Sequence, residues 1–109
     1  MAFTTQFTTP EPSRAEVDAW RGLSVIEFGT GWCGHCQRAQ PLIEGALSPH
    51  EPLRHVKVED GKGRPLGRSF GVKLWPTLVF LQDGREVERL VRPQTGSEIA
   101  EALARAIAA

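Results

Sequence analysis

Residues 25–41 read VIEFGTGWCGHCQRAQP, and two patterns meet inside them. The segment Leu23–Phe28 (LSVIEF) is apolar and β-branched on both faces apart from Glu27, as expected of a strand buried in a parallel sheet. Beyond the loop GTGW, residues Ala39, Leu42, Ile43, Ala46 and Leu47 recur at helical spacing. The only two cysteines, Cys33 and Cys36, therefore fall where a strand ends and a helix begins. At i and i+3 they share one helix face with Cα atoms roughly 5 to 6 Å apart, inside the window a disulfide tolerates. Cys33 is expected in the first turn, exposed, where unpaired N–H groups and the positive end of the helix dipole favour a thiolate. Cys36, one turn deeper, is expected to be more buried and less acidic. That asymmetry suits thiol–disulfide exchange, in which an outer thiolate attacks and an inner thiol resolves the mixed disulfide. Pro41, inside the helical pattern, is expected to kink it.

Outward from this junction the chain alternates strands and helices. Residues 1–12 are rich in Pro and Thr and read as an extended arm, with a short strand around Gln6 to Thr8. Ser13 and Glu16 form a capping box for a short helix through Ala15, Val17 and Trp20, closed by Gly22. After a turn at residues 48–52, Arg54 to Glu59 alternates Val56 and Val58 with polar neighbours and reads as a strand. Pro65 to Phe70 fits a short helix with Pro at its first position and Gly71 past its end. Thr77 to Leu81 and Arg85 to Val91 read as antiparallel strands about an Asp83-Gly84 turn. Thr95 and Glu98 make a second capping box, and Ile99, Leu103 and Ile107 form one apolar stripe on a final helix. The order predicts an α/β domain over residues 13–109, with a mixed four- or five-stranded sheet and helices on both faces.

At 109 residues the chain suffices for one domain. Thirteen basic and thirteen acidic residues cancel, which removes the electrostatic footprint of a nucleic-acid binder or a polybasic membrane anchor. No apolar run approaches the roughly 18 residues of a membrane span, and the opening residues lack the pattern of a signal peptide. A cytosolic, monomeric protein without nucleic-acid or membrane partners is the expectation. With two cysteines in all, a disulfide-stapled scaffold is excluded and reactive or metal chemistry favoured.

Residues 25–41 resemble the active-site region of the thioredoxin family and, through Glu27 and the CGHC tetrad, the catalytic domains of protein disulfide isomerase. The segment 70–84, FGVKLWPTLVFLQDG, looks like the family's second signature, in which the proline before Thr77 is cis and faces the dithiol. The resemblance runs from about Val17 to the C-terminus. It implies the thioredoxin fold and a thiol–disulfide oxidoreductase with Cys33 as nucleophile and Cys36 as resolver. It also implies a cis Trp75–Pro76 peptide, and a buried Glu27 accepting the inner thiol's proton with Lys57 as its partner. With Lys57 alone beside it, replacing Glu27 by Leu is expected to lower activity while leaving or raising stability. His35, in the position where isomerases carry His and thioredoxins Pro, is expected to stabilise the Cys33 thiolate and make the disulfide more oxidising. Trp32, Gly34, Trp75, Pro76 and Arg92 are the implied substrate surface, on which Arg92 is expected to favour acidic sequences. The chain departs from the family at Gly29, where Trp is common, and at Leu74 and Arg92, where Gly is common. The implied partners are protein disulfides and an upstream dithiol reductase, and no prosthetic group is implied.

Two other readings are open to the same residues. The first keeps the fold as a redox-inactive binding module. The second is a zinc site, since Cys33, Cys36, His50 and His55 satisfy a loose Cys2His2 spacing. Pro49 and Pro52 interrupt the helix that a zinc finger would need.

Overall fold

A computed structural model describes residues 3–50 and 52–109, so Met1 and Ala2 of the expected arm and Glu51 of the expected turn lie outside it. The elements are α1 (Arg14–Asp18), β1 (Leu23–Gly29), α2 (Gly34–Leu47), β2 (Arg54–Glu59), α3 (Pro65–Ser69), β3 (Thr77–Gln82), β4 (Arg85–Val91) and α4 (Gly96–Ala108). They build a four-stranded sheet in the order β2-β1-β3-β4. Strand β1 runs parallel to β2 and antiparallel to β3, and β3 pairs antiparallel with β4. This is the mixed, helix-flanked sheet of the thioredoxin fold. Among the described residues, no helix is long and apolar enough to cross a membrane.

Local chemistry accounts for most boundaries. Ser13 accepts from the Glu16 N–H while the Glu16 carboxylate accepts from the Ser13 N–H, a complete capping box at α1. At α4, Thr95 accepts from the Glu98 N–H, but Glu98 reaches past the cap to the Gln94 N–H. Asp83 and Gly84 both have positive φ, the geometry of a two-residue hairpin whose twist matches its strands. Pro41 lies inside α2, which runs through it without interruption.

Alternation along the central strands divides the core in two. Val25, Leu78 and Phe80 face α2 and α4, meeting Ile43, Leu47, Ile99 and Leu103. Ile26, Phe28, Val79 and Leu81 face the other way, toward Val17, Val58, Leu66 and Phe70. Each such side chain contributes about 1.5 to 3 kcal/mol by leaving water. Glu27 shares the parity of Val25, so its carboxylate is carried into the α2/α4 face.

The expected strand at Gln6 to Thr8 is reduced to one bridge, Phe7 to Lys57, beside a hydrogen bond from the Thr8 N–H to the Lys57 carbonyl at 2.8 Å. Pro10, which has no N–H to donate, follows closely and keeps the pairing from extending into a ladder. Residues 3–8 instead lie across β2 as a strap. Phe3 stacks on the His55 ring at 5.3 Å between centroids, and Phe7 lies under the Lys57 ammonium at 4.8 Å.

Candidate active site

Strand β1 delivers its last residue, Gly29, directly beneath the dithiol. A Cβ at Gly29 would lie 2.5 Å from Cys36 Sγ, so the strand end approaches the inner thiol more closely than any side chain permits. Four residues later the chain enters α2 with Cys33 as its N-cap, and Cys33 Sγ accepts the Cys36 N–H at 3.3 Å. The sulfur thus satisfies one of the orphan donors of the first turn.

Both cysteines are free thiols, and both are buried: Cys33 is 7% exposed and Cys36 4%. The outer thiol is therefore less exposed than its place in the helix suggests. What separates the pair is hydrogen bonding. At Cys33 burial opposes ionisation, yet bonds from the Cys36 thiol and N–H, the His35 N–H and the charge of Arg92 outweigh it and lower the pKa. At Cys36 burial dominates, reinforced by its bond to Cys33 and by the charges of Cys33 and Glu27. Its thiol is pushed up to about 12 despite a backbone bond from Thr30.

His35 is exposed, and its ring is turned toward Arg38, whose Nη2 lies 2.9 Å from Nδ1. The charge of Arg92, slight desolvation and then Arg38 lower its pKa, so near neutral pH the ring is uncharged. Stabilisation of the thiolate by an imidazolium beside it is thereby disfavoured. The help His35 gives Cys33 comes through its backbone N–H.

The surface around the dithiol is aromatic. Trp32 is 74% exposed and meets Trp75 edge-on, with centroids 5.7 Å apart and planes at 79°. The Trp75 indole N–H donates to Asp60 Oδ2 at 2.8 Å, which fixes the ring. Trp75 Cβ also stands 3.9 Å from the Cβ position of Gly29, where a second bulky group has no space. The Trp75–Pro76 peptide is cis, with Pro76 buried and Leu74 48% exposed. Gly34 opens α2 with nothing but the Arg38 guanidinium near its Cβ position. Arg92 donates its backbone N–H to the Pro76 carbonyl at 2.9 Å and Nε to the Trp75 carbonyl at 2.8 Å. Its φ is +51°, a left-handed conformation that costs a side-chain-bearing residue roughly 1 kcal/mol. A cleft of about 420 Å³ beside it is lined by His35, Arg38, Leu42, Arg92 and Gln94, with no carboxylate among its lining residues.

Behind Cys36 lies a buried polar network richer than the expected Glu27–Lys57 pair. Glu27 is 2% exposed. Its Oε1 is 2.9 Å from His55 Nε2, and its Oε2 accepts from Gln40 Nε2 at 2.7 Å. Gln40 Nε2 also donates to the Cys36 carbonyl at 3.0 Å, linking the acid to the backbone of the inner cysteine. Lys57 Nζ stands 3.8 Å from Oε2 and donates to Gln40 Oε1 at 3.1 Å. His55 and Gln40 were missed as members of the site. In parallel register Glu27 faces Lys57, and His55 lies two residues away on the same face of β2, so period-2 alternation would have found it had that face been taken as covered.

The four residues of the zinc reading are not brought together. His55 is spent on Glu27 and the strap, while His50 lines a separate cleft with Arg21, Leu53 and Ile107. Among the described residues, no three His, Cys, Asp or Glu side chains are grouped to hold a metal.

The family model described as Thioredoxin matches residues 4–105. A thioredoxin of Chlamydia muridarum is 37% identical over 71 residues, which cover 64% of this chain and 69% of that protein. A protein disulfide-isomerase of Zea mays is 32% identical over 95 residues, 81% of this chain and 18% of that protein. The chain spans about one fifth of the length of the larger relatives it matches. The solved structure of reduced thioredoxin 2 from Pseudomonas aeruginosa is similar with a TM-score of 0.86 and 52% identity, over 97% of this chain and 98% of that one.

Proposed function

The chain belongs to the thioredoxin family, and from that premise we propose that it is a thiol–disulfide oxidoreductase working through Cys33 and Cys36. The observation that carries the reading is a pair of free thiols within one turn at the head of α2, where Cys33 is the N-cap and its Sγ accepts the Cys36 N–H at 3.3 Å; these bonds favour the Cys33 thiolate, while burial holds Cys36 protonated. The Cys33 thiolate attacks one sulfur of a substrate disulfide, forming a mixed disulfide and expelling the other sulfur as a thiolate. Glu27 takes the Cys36 proton. The resulting thiolate attacks Cys33 Sγ, which frees the second substrate thiol and leaves the Cys33–Cys36 disulfide. Two electrons pass from the protein to the substrate, and an upstream dithiol restores them. Trp32, Gly34, Trp75 and Pro76 receive the substrate. The direction of net flow follows from the potentials of the partners. A cytosolic address and a monomeric state are part of the same proposal.

The arginines deepen the reading toward a substrate class. Arg92 and Arg38 face the cleft beside Cys33, and one carboxylate docked on a partly screened guanidinium contributes about 1 kcal/mol. Reduction of peptide disulfides is expected to be several-fold faster, in kcat/KM, with Glu than with Lys beside the target cysteine. Arg92→Gly is expected to erase most of that difference while relieving the left-handed strain. No reduction of either peptide would sink the oxidoreductase reading. Equal rates at low salt would sink the preference alone.

The backbone role of His35 gives a second expectation. Proline there removes an N–H that favours the thiolate, worth about 1 to 2 kcal/mol, or roughly 20 to 40 mV for two electrons. Equilibration with glutathione is expected to show His35→Pro more reducing by that amount. His35→Ala keeps the N–H and is expected to shift far less. Equal shifts in both variants would return the effect to the ring.

A further inference from the structure

Outside the dithiol, the most constrained chemistry in the molecule is the contact between the N-terminal strap and the buried acid. The Thr4 N–H donates to His55 Nδ1 at 3.0 Å. A backbone N–H has no second role available to it, so Nδ1 is the acceptor and carries no proton. The ring proton then resides on Nε2, which faces Glu27 Oε1 at 2.9 Å and donates to it. The side chain of His55 is fully buried, and Phe3 of the same strap stacks on its ring. Titratable groups facing Glu27 are thus His55 and Lys57 from β2 and Cys36 from α2, with neutral Gln40 between them.

We propose that His55 is a positioning residue for the proton transfer at Cys36, locked by the strap as a neutral Nε2–H donor that holds one oxygen of Glu27 and leaves the other for Gln40, Lys57 and the thiol side. The inference rests on the relay assigned to Glu27 above. A carboxylate with one oxygen anchored keeps a single orientation in its site. Without the anchor it is free to rotate and share both oxygens with Lys57 and Gln40, away from the sulfur it serves. The strap thereby has a task in turnover although it is remote from the substrate surface.

The two steps separate with an aromatic disulfide such as Ellman's reagent. Attack by Cys33 releases one aromatic thiol, and resolution by Cys36 releases the second. His55→Leu is expected to slow resolution about ten-fold near pH 7 while attack stays within two-fold. His55→Gln, whose amide N–H reaches the Nε2 position, is expected to recover most of the rate. Thr4→Pro removes the donor to Nδ1 and is expected to slow resolution to an intermediate degree, which keeps the test decisive if the Leu variant fails to fold. Nitrogen-15 spectra of the wild-type protein are expected to show a protonated Nε2 and a bare Nδ1. A normal resolution rate in both His55→Leu and Thr4→Pro, or the opposite tautomer, would overturn the proposal. If Glu27→Gln also resolves at the wild-type rate, the relay itself fails and not only its anchor.

Discussion

Replacing Glu27 by Gln is expected to slow resolution of the Cys33 mixed disulfide about 100-fold near pH 7, within the range a lost general base commonly costs. The reason is the state of the inner thiol. With its pKa pushed up to about 12, Cys36 is a thiolate in only roughly one molecule in 10⁵ at pH 7, so resolution needs a base at hand. Glutamine keeps the shape of Glu27 but takes no proton. It also removes a negative charge that helps to raise the Cys36 pKa, a minor influence beside burial, so the gain in thiolate does not offset the lost base. The variant is expected to speed up about ten-fold per pH unit as hydroxide replaces the carboxylate, whereas the wild-type profile stays flatter. Step-resolved kinetics from pH 6 to 8 check this, and a rate equal to wild type throughout would refute the relay.

The effect on stability of replacing Glu27 by Leu differs from what Lys57 alone implies. With only a long-stemmed lysine nearby, Glu27→Leu is expected to be neutral or stabilising, since the ammonium reaches solvent. The network reverses that sign. Leucine at position 27 strands the buried His55 Nε2–H and leaves Lys57 without its countercharge, a loss of about 3 to 5 kcal/mol. Glutamine still offers His55 an acceptor oxygen, but it too removes the countercharge of Lys57 and leaves a mismatched bond at Gln40, so its loss is expected to be smaller than that of leucine. Denaturation of the two variants therefore separates the acid's structural part from its chemical one.

The fold was legible because its punctuation is local. Ser13 and Glu16, Asp83-Gly84 and Thr95 each close a backbone hydrogen-bonding problem within a few residues, and the alternation of Val56 with Val58 set the inner face of β2. The dithiol was legible for the same reason, since Cys33 and Cys36 meet within one turn. What stayed hidden depends on contacts far apart in the chain. His55 and Lys57 look like the solvent face of an alternating strand, and only the strap at residues 3–8 makes that face an interior. Gln40 is an ordinary helix residue until α2 packs over β1 and brings it to Glu27. Arg92 was expected at the groove edge, but its bond to the Trp75 carbonyl depends on a left-handed backbone that charge and hydropathy do not encode. Gly29 marks a related limit: the absence of Trp there becomes intelligible once Cys36 Sγ and Trp75 occupy the space.

Replacing Cys36 by Ser has the largest expected effect, because it removes the second half of the exchange and leaves the first intact. The Cys33 thiolate keeps the His35 N–H and the charge of Arg92, and serine at position 36 still supplies a backbone N–H at the N-cap. Attack on a substrate disulfide is then expected to proceed and stop, since a hydroxyl does not displace a thiolate from sulfur. The central measurement is mass spectrometry of the Cys36→Ser protein after brief exposure to a peptide disulfide, with Cys33→Ser run in parallel. The account predicts one peptide bound covalently to Cys33, stable for hours without added thiol, and little or no adduct on Cys36 in the parallel variant at pH 7. Equal labelling of the two variants, or no adduct in either, would contradict the division of labour between the two thiols.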